Sequence, residues 1–290
     1  MKTSTITKFV TKLFKHTVFS LFTLVGTASG KYIVWDMGHV LVEPQKLAMT
    51  FGHIGLFNII GYSEDEIRTM MYDIQNTARL FCEHKNDTVV DDRGRLLATM
   101  HCEYLAGMHT SEQLRAELQA SIDLLEDIGY FTGKRHRRLA EKILEIIYNP
   151  EVCAHYMAPI KKGVNLLKKC AEKTDSEGKL CHEMMILSNW DKESFPLMQA
   201  NPKNNKIFKH FAPENIIISG SFGHMEGNKP FHWLFNYVIA NKQAQPADFV
   251  FIDDQIANVE AARACGMYAI QVKNGDYRAV EAELQRIGVL

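Results

Sequence analysis

Residues 31–44 read KYIVWDMGHVLVEP. Tyr32-Ile33-Val34-Trp35 is a run of β-branched and aromatic residues, and Asp36-Met37-Gly38 follows it at once. That is a buried strand running into a loop, with a carboxylate at its exit. The same design recurs downstream. Glu183-Met184-Met185-Ile186-Leu187 runs into Ser188-Asn189, and Phe249-Val250-Phe251-Ile252 runs into Asp253-Asp254. Asn215 to Ile218 and Met267 to Val272 read as two more short strands. Helical segments are expected between and after them, at Lys161 to Lys173, Phe231 to Ala240, Asn258 to Cys265 and Tyr277 to Ile287. Strands of four or five apolar residues alternating with helices predict an α/β fold, a Rossmann-like three-layer core around a parallel sheet. Ligands of such sheets sit beyond the carboxyl ends of the strands. Asp36, Ser188, Asn189, Asp253 and Asp254 all fall there.

Between the first two strands the pattern changes. Ser63-Glu64-Asp65-Glu66 has a serine three residues before a glutamate, a capping box that opens a helix. Leu96 to Ala106, Ser111 to Leu125 and Leu139 to Ile147 carry apolar positions three and four apart, with Thr110 or Ser111 capping the second. No strand-like alternation persists. Residues 46–158 therefore read as a mostly helical insertion, its end punctuated by Pro150 and Pro159, in a core made of residues 31–45 and 159–290.

The chain's 290 residues can bury a substantial core, and 46% hydrophobic with 23% charged residues is ordinary for a folded protein. A formal net charge of -1 gives no reason to expect nucleic acid or an anionic membrane as partner. The basic run Lys134-Arg135-His136-Arg137-Arg138 reads as the solvated start of a helix. Cys82, Cys102, Cys153, Cys170, Cys181 and Cys265 show neither CxxC nor a regular framework, so buried thiols are expected rather than disulfides or zinc ligands. Residues 1–30 lack acidic side chains, and Lys2, Lys8, Lys12 and Lys15 precede the apolar run VFSLFTLVG at 18–26. This reads as a signal peptide or an N-terminal extension. The run is too short for a stable transmembrane span. The protein is expected to be periplasmic or secreted if the segment is removed, and otherwise cytoplasmic.

Carboxylates converging on one sheet edge repel unless a cation lies between them, and a hard cation such as Mg2+ binds phosphate oxygens as well. Asp36 then suits a nucleophile that is also a metal ligand. The Ser188 hydroxyl and the Asn189 amide suit phosphate oxygens, and Lys229, in Gly227-Asn228-Lys229-Pro230 before a helix, suits the remaining charge. Phosphoryl transfer needs chiefly this positioning and electrostatic help.

With IVWDMGHVLV, ILSN at 186–189, GNKP at 227–230 and FIDDQIANVEAA at 251–262, the chain resembles the haloacid dehalogenase-like (HAD) hydrolase superfamily over residues 31–290. The branch it resembles carries a helical cap after the first strand. The resemblance implies Asp36 as nucleophile, Ser188 and the backbone around Asn189 as phosphate holders, and Lys229 as the bridge between phosphate and nucleophile. It makes Asp254 a direct Mg2+ ligand, Asp253 its support, and the backbone carbonyl of Gly38 a further ligand. Asn258 stands where many relatives carry another acid. The substrate implied is a small phosphorylated metabolite, with residues 46–158 closing over it. A protein partner of the cap is conceivable, but no sequence feature argues for one.

One departure matters. Most phosphatases of the superfamily read Asp-x-Asp in the first block, the second aspartate acting as general acid and base, and here that place is Gly38. Bacterial sugar-phosphate phosphatases that read Asp-x-Gly are the nearest pattern. His39 is the candidate substitute acid. Two other readings stay open: a metal-independent dehalogenase-type hydrolase, and a catalytically weak HAD-like binding protein.

Overall fold

The structure is a computed structural model that describes residues 32–78, 89–90, 96–97 and 99–290. The segment read as a signal peptide or extension lies outside the described residues. Nine strands are formed among the described residues: β1 Tyr32–Trp35, β2 Val42–Pro44, β3 Val89–Val90, β4 Leu96–Leu97, β5 Met157–Pro159, β6 Glu183–Ser188, β7 Ile216–Ile218, β8 Phe249–Asp253 and β9 Tyr268–Gln271.

Five of them make one sheet in the order β7-β6-β1-β8-β9, and every pairing in it is parallel. Side chains alternate across the two faces, as the period of two requires. Ile33 and Trp35 join Met184, Ile186, Val250 and Ile252 in one apolar cluster. Val34 joins Met185, Leu187, Phe249 and Phe251 in another. The first cluster is closed by Leu167 and Cys170 of helix Lys161–Ala171, and by Val280 and Leu284 of helix Tyr277–Arg286. Leu234, Phe235 and Val238 of helix His232–Lys242 and Val259 of helix Ile256–Ala264 close the second. A sheet covered on both faces explains why its strands read as unbroken apolar runs. Burying a side chain of this size stabilises the fold by ~1.5–3 kcal/mol.

The chain leaves β1 for β6 and β7 on one side, then returns to β8 and β9 on the other. The β1/β8 edge is therefore the topological switch point. Trp35 pairs with both Ile186 and Ile252, so the residues that follow, Asp36, Leu187 and Asp253, are level with one another.

Residues 46–156 contribute helices Glu64–Ala78, Thr99–Leu105, Ser111–Asp127, Lys134–Tyr148 and Pro150–Tyr156. These share a separate apolar cluster that includes Met70, Ile74, Leu114, Leu118, Ile122 and Leu139. Ser63 and Glu66 form the expected reciprocal cap, and of the two candidates at the next helix Thr110 is the one that caps, with Gln113. β2 and β5 pair antiparallel where the chain enters and leaves this group.

Three expectations shift. Leu96 and Leu97 stand in a short strand paired with Val89–Val90, so the helix starts at Thr99. Two adjacent leucines carry no period to tell the alternatives apart. Pro150 opens a helix rather than ending one, at a first-turn position where its missing N–H costs nothing, and Asn149 caps it. The helix expected from Asn258 begins at Ile256.

Candidate active site

The loop after β1 is tight. Leu41 and Val42 both donate backbone N–H groups to the Met37 carbonyl at 2.9 Å, and His39 donates to Val42 at 2.8 Å. His39 takes the left-handed conformation, φ 55°, and stands at the surface, its carbonyl accepting from the Tyr277 hydroxyl at 3.3 Å. Among the described residues no hydrogen bond or ion pair joins its ring to Asp36, Lys229, Asp253 or Asp254. The structure places His39 in the exposed turn three residues after Asp36.

Asp36 is buried, and its backbone N–H is bonded to the Ile252 carbonyl at 2.9 Å. Its Oδ1 accepts from Ser188 Oγ at 2.8 Å and from Lys229 Nζ at 2.7 Å. Lys229 also donates to Asp253 Oδ2 at 2.5 Å and lies 5.3 Å from the centre of the Phe251 ring. Burial pushes its ammonium pKa down, but the Asp253 and Asp36 carboxylates outweigh that and hold it above the ordinary value. Asp253 is fully committed: Oδ1 accepts from Gln255 N and Asn258 Nδ2, while Oδ2 accepts from Asn258 Nδ2 and Lys229. Asn258, where an acid was a family alternative, thus serves as a donor to Asp253.

Asp254 is only half-buried. Burial first, then the charges of Asp36 and Asp253, raise its carboxyl to about 7. Asp36, Asp253 and Asp254 each offer an oxygen within 4.8 Å of the others. Against three carboxylates stands one ammonium, an imbalance that suits a hard divalent cation.

Asn189 does something other than expected. Its Nδ2 donates to the Lys229 carbonyl at 2.8 Å, and its Oδ1 accepts from the Lys229 N–H at 2.7 Å. Both ends of the carboxamide hold the Lys229 backbone, which leaves the second Nδ2 hydrogen and the Asn189 backbone to offer an anion. The Lys229–Pro230 peptide bond is cis.

The helical group reaches this edge through residues 102–111. Asn228 Nδ2 donates to the Cys102 carbonyl at 2.9 Å, Ser219 Oγ to Leu105 at 2.6 Å, and Gly223 N to Ala106 at 2.9 Å. Ser111 N donates to Glu193 Oε2 at 2.7 Å. Gly107 sits at φ +78°, and a Cβ there would stand 2.1 Å from the Gly220 carbonyl oxygen, so only glycine allows this approach. Sequence reasoning missed Asn228, Ser219 and Asp191. Asp191 is buried and accepts from Glu193 N at 3.0 Å and Ser194 N at 2.7 Å. The only sequence signal for any of them was Asn228's place beside Lys229.

A family model described as HAD-hydrolase-like matches residues 227–288, the span from the Lys229 loop through Asp253-Asp254 to the last helix. No curated protein matches the sequence. An HAD family enzyme from Bacteroides thetaiotaomicron is similar in structure, with 18% identity, 87% of this chain and 98% of that chain covered, and a TM-score of 0.50. A predicted HAD-like family hydrolase from Porphyromonas gingivalis has 16% identity, coverage of 88% and 98%, and a TM-score of 0.49. An L-2-haloacid dehalogenase from Xanthobacter autotrophicus has 15% identity, coverage of 90% and 84%, and a TM-score of 0.45. The matched segment 227–288 is thus similar to the HAD-hydrolase-like family, and the parallel α/β fold is the one shared with the Bacteroides enzyme.

Proposed function

We propose that the protein is a magnesium-dependent phosphomonoesterase acting on a small phosphorylated metabolite, with residues 46–158 as its cap. The observation that carries this reading is Lys229, buried between Asp36 at 2.7 Å and Asp253 at 2.5 Å, with Asp254 beside them. Such a cluster is costly to bury unless it meets a ligand that needs both signs of charge. A phosphate with its cation is one.

The residues fit the cation. Asp36 and Asp254 would hold it, with the Gly38 carbonyl, while Asp253 orients Lys229 and Asn258. Mg2+ supplies electrostatic stabilisation of the transferring phosphoryl group when bound. Asp36 attacks phosphorus as the bond to the ester oxygen breaks, the departing alkoxide takes its proton from a water molecule, and a second water cleaves the aspartyl-phosphate to phosphate and free Asp36. Ser188 and Lys229 fix the carboxylate for attack. The cap segment 102–111, bonded to loops on either side of the site, excludes bulk water.

A phosphometabolite panel run with and without Mg2+ tests the reading. Hydrolysis lost on chelation supports it. Haloacid hydrolysis indifferent to chelation replaces it with the dehalogenase reading, and binding of phosphorylated compounds without turnover replaces it with the binding-protein reading.

The general acid is the open part of the chemistry, and Gly38 gives a direct test. A Cβ at Gly38 would meet nothing nearer than Asp36 Oδ2 at 4.0 Å, so the position has room for a side chain to start. The adjacent Asp36 would favour its protonated form. Gly38→Asp is expected to speed hydrolysis of alkyl phosphates, whose leaving groups need a proton, by ~10–100-fold, the lower part of what general acid catalysis provides. An aryl phosphate with a good leaving group should change little. Equal effects on both would show that protonation is not what the chain lacks.

Asp254 sets a pH dependence. With its carboxyl raised to about 7, the folded protein binds a proton there that the unfolded chain has released above its ordinary value near 4. Stability without metal therefore falls as pH rises through that window. Mg2+ must displace the same proton, so its affinity should fall about tenfold per pH unit below 7. Calorimetric Mg2+ titration at pH 6 and 8, with thermal shifts, should show weaker binding and a smaller stabilisation at pH 6. Equal affinities would remove Asp254 as a ligand.

A further inference from the structure

The helical group of residues 46–156 has its own apolar cluster, separate from those on the two faces of the sheet. Its placement over the site therefore depends on where the chain enters and leaves it and on the bonds that cross the seam. Among the described residues, Ser219, Gly223, Glu193 and Asn228 make such bonds to segment 102–111. Of these four, only Asn228 adjoins a residue that touches Asp36, for Lys229 follows it directly.

Asn228 stands in a loop with little give. Its N–H donates to the Met225 carbonyl at 3.0 Å, and its own carbonyl accepts from Phe231 N at 3.0 Å. At Gly227, just before it, a Cβ would stand 2.8 Å from Phe222 Cβ. Lys229 is gripped at its N–H and its carbonyl by Asn189. A loop so tightly held passes a displacement at Asn228 on to Lys229 rather than absorbing it.

The Asn228 side chain is buried and only half satisfied. Nδ2 donates to the Cys102 carbonyl at 2.9 Å, while Oδ1 finds no donor among the described residues. A buried acceptor left unpaired costs stability. The Cys102 carbonyl already accepts from Ala106 N at 2.9 Å, so it does not need a second donor. For packing alone, leucine, of nearly the same size, would serve better. What asparagine adds is the tie to the helical group.

We propose that Asn228 is a positioning residue. By tying the loop before Lys229 to the docked helical group, it holds the Lys229 ammonium between Asp36 and Asp253. Its kinetic consequence rests on the phosphatase reading, and its geometric consequence does not.

Asn228→Leu in the full chain tests this, with lysines acetylated by N-hydroxysuccinimidyl acetate and read by peptide mass. Lys229, 5% exposed, should acetylate slowly in the parent relative to exposed Lys162. In the variant that ratio should rise about fivefold, the opening that one lost hydrogen bond allows. The melting temperature should stay level or rise, since the unpaired Oδ1 leaves together with the bond. With Mg2+ and an aryl phosphate, kcat should fall ~10–100-fold while KM changes little, as a misplaced transition-state group predicts. Asn228→Ala, which demands no fit in the seam, carries the same expectations for labelling and kcat. An unchanged labelling ratio in both variants overturns the proposal. So does an intact kcat, or a loss of kcat in the leucine variant that comes with a lower melting temperature. A parent without phosphatase turnover removes the functional reading instead, and the labelling ratio then decides the role of Asn228.

Discussion

Asp36→Asn is expected to lower kcat toward an aryl phosphomonoester by at least ~1000-fold, because a carboxamide does not attack phosphorus. The substitution keeps size and shape. Its Oδ1 still accepts from Ser188 and Lys229, which hold the native oxygen at 2.8 and 2.7 Å. It also removes one of three negative charges within reach of one another, so phosphate binding should tighten while turnover collapses. A fall in kcat with a fall in KM is what a lost nucleophile predicts. A rise in KM with kcat intact would instead place Asp36 among binding groups, and unchanged kinetics would remove it from the site. Melting temperature separates both from damage to the fold, since relief of carboxylate repulsion should leave stability level or higher.

What the sequence revealed and what it hid divide along a physical line. Asp36, Ser188 and Asp253 were legible because each follows an apolar run that only a buried parallel strand explains, and β6 and β8 flank β1 in register. Lys229 was legible by chemical need, since converging carboxylates require a cation. Asn189 was not, because its true partner is the backbone of a residue 40 positions away, and nothing local distinguishes an amide that binds phosphate from one that holds a loop. His39 has a related dependence on backbone. Its neighbours in sequence include the nucleophile, but a turn at φ 55° decides where it stands. Gly107 shows the same limit on the other side of the site. Its need for glycine arises from the carbonyl of Gly220, more than a hundred residues away, which no local pattern foretells.

Lys229→Met should separate the electrostatic role of this lysine from its packing. Methionine nearly fills the volume over Phe251 but leaves Asp36 and Asp253 facing each other, buried, without the ammonium that bonds to both. Breaking a buried pair by removing one partner costs ~3–5 kcal/mol. At about 2–4 °C per kcal/mol for a chain of this size, the melting temperature should fall by roughly 10 °C at pH 8. The loss has a pH signature. Burial already raises the Asp253 carboxyl, and without the Lys229 ammonium to oppose it that carboxyl stays above its unfolded value, so the folded variant takes up a proton as pH falls and regains stability. Calorimetry at pH 5 and pH 8 should therefore show the variant approaching the parent at the lower pH. Millimolar Mg2+ should restore part of the melting temperature at pH 8 by shielding the same carboxylates, but turnover should stay at least ~1000-fold down, since the transferring phosphoryl group has lost its fixed cation. A variant as stable as the parent at pH 8 would mean that the carboxylates tolerate each other without Lys229. The balance of charge on which the proposed phosphate site rests would then be wrong.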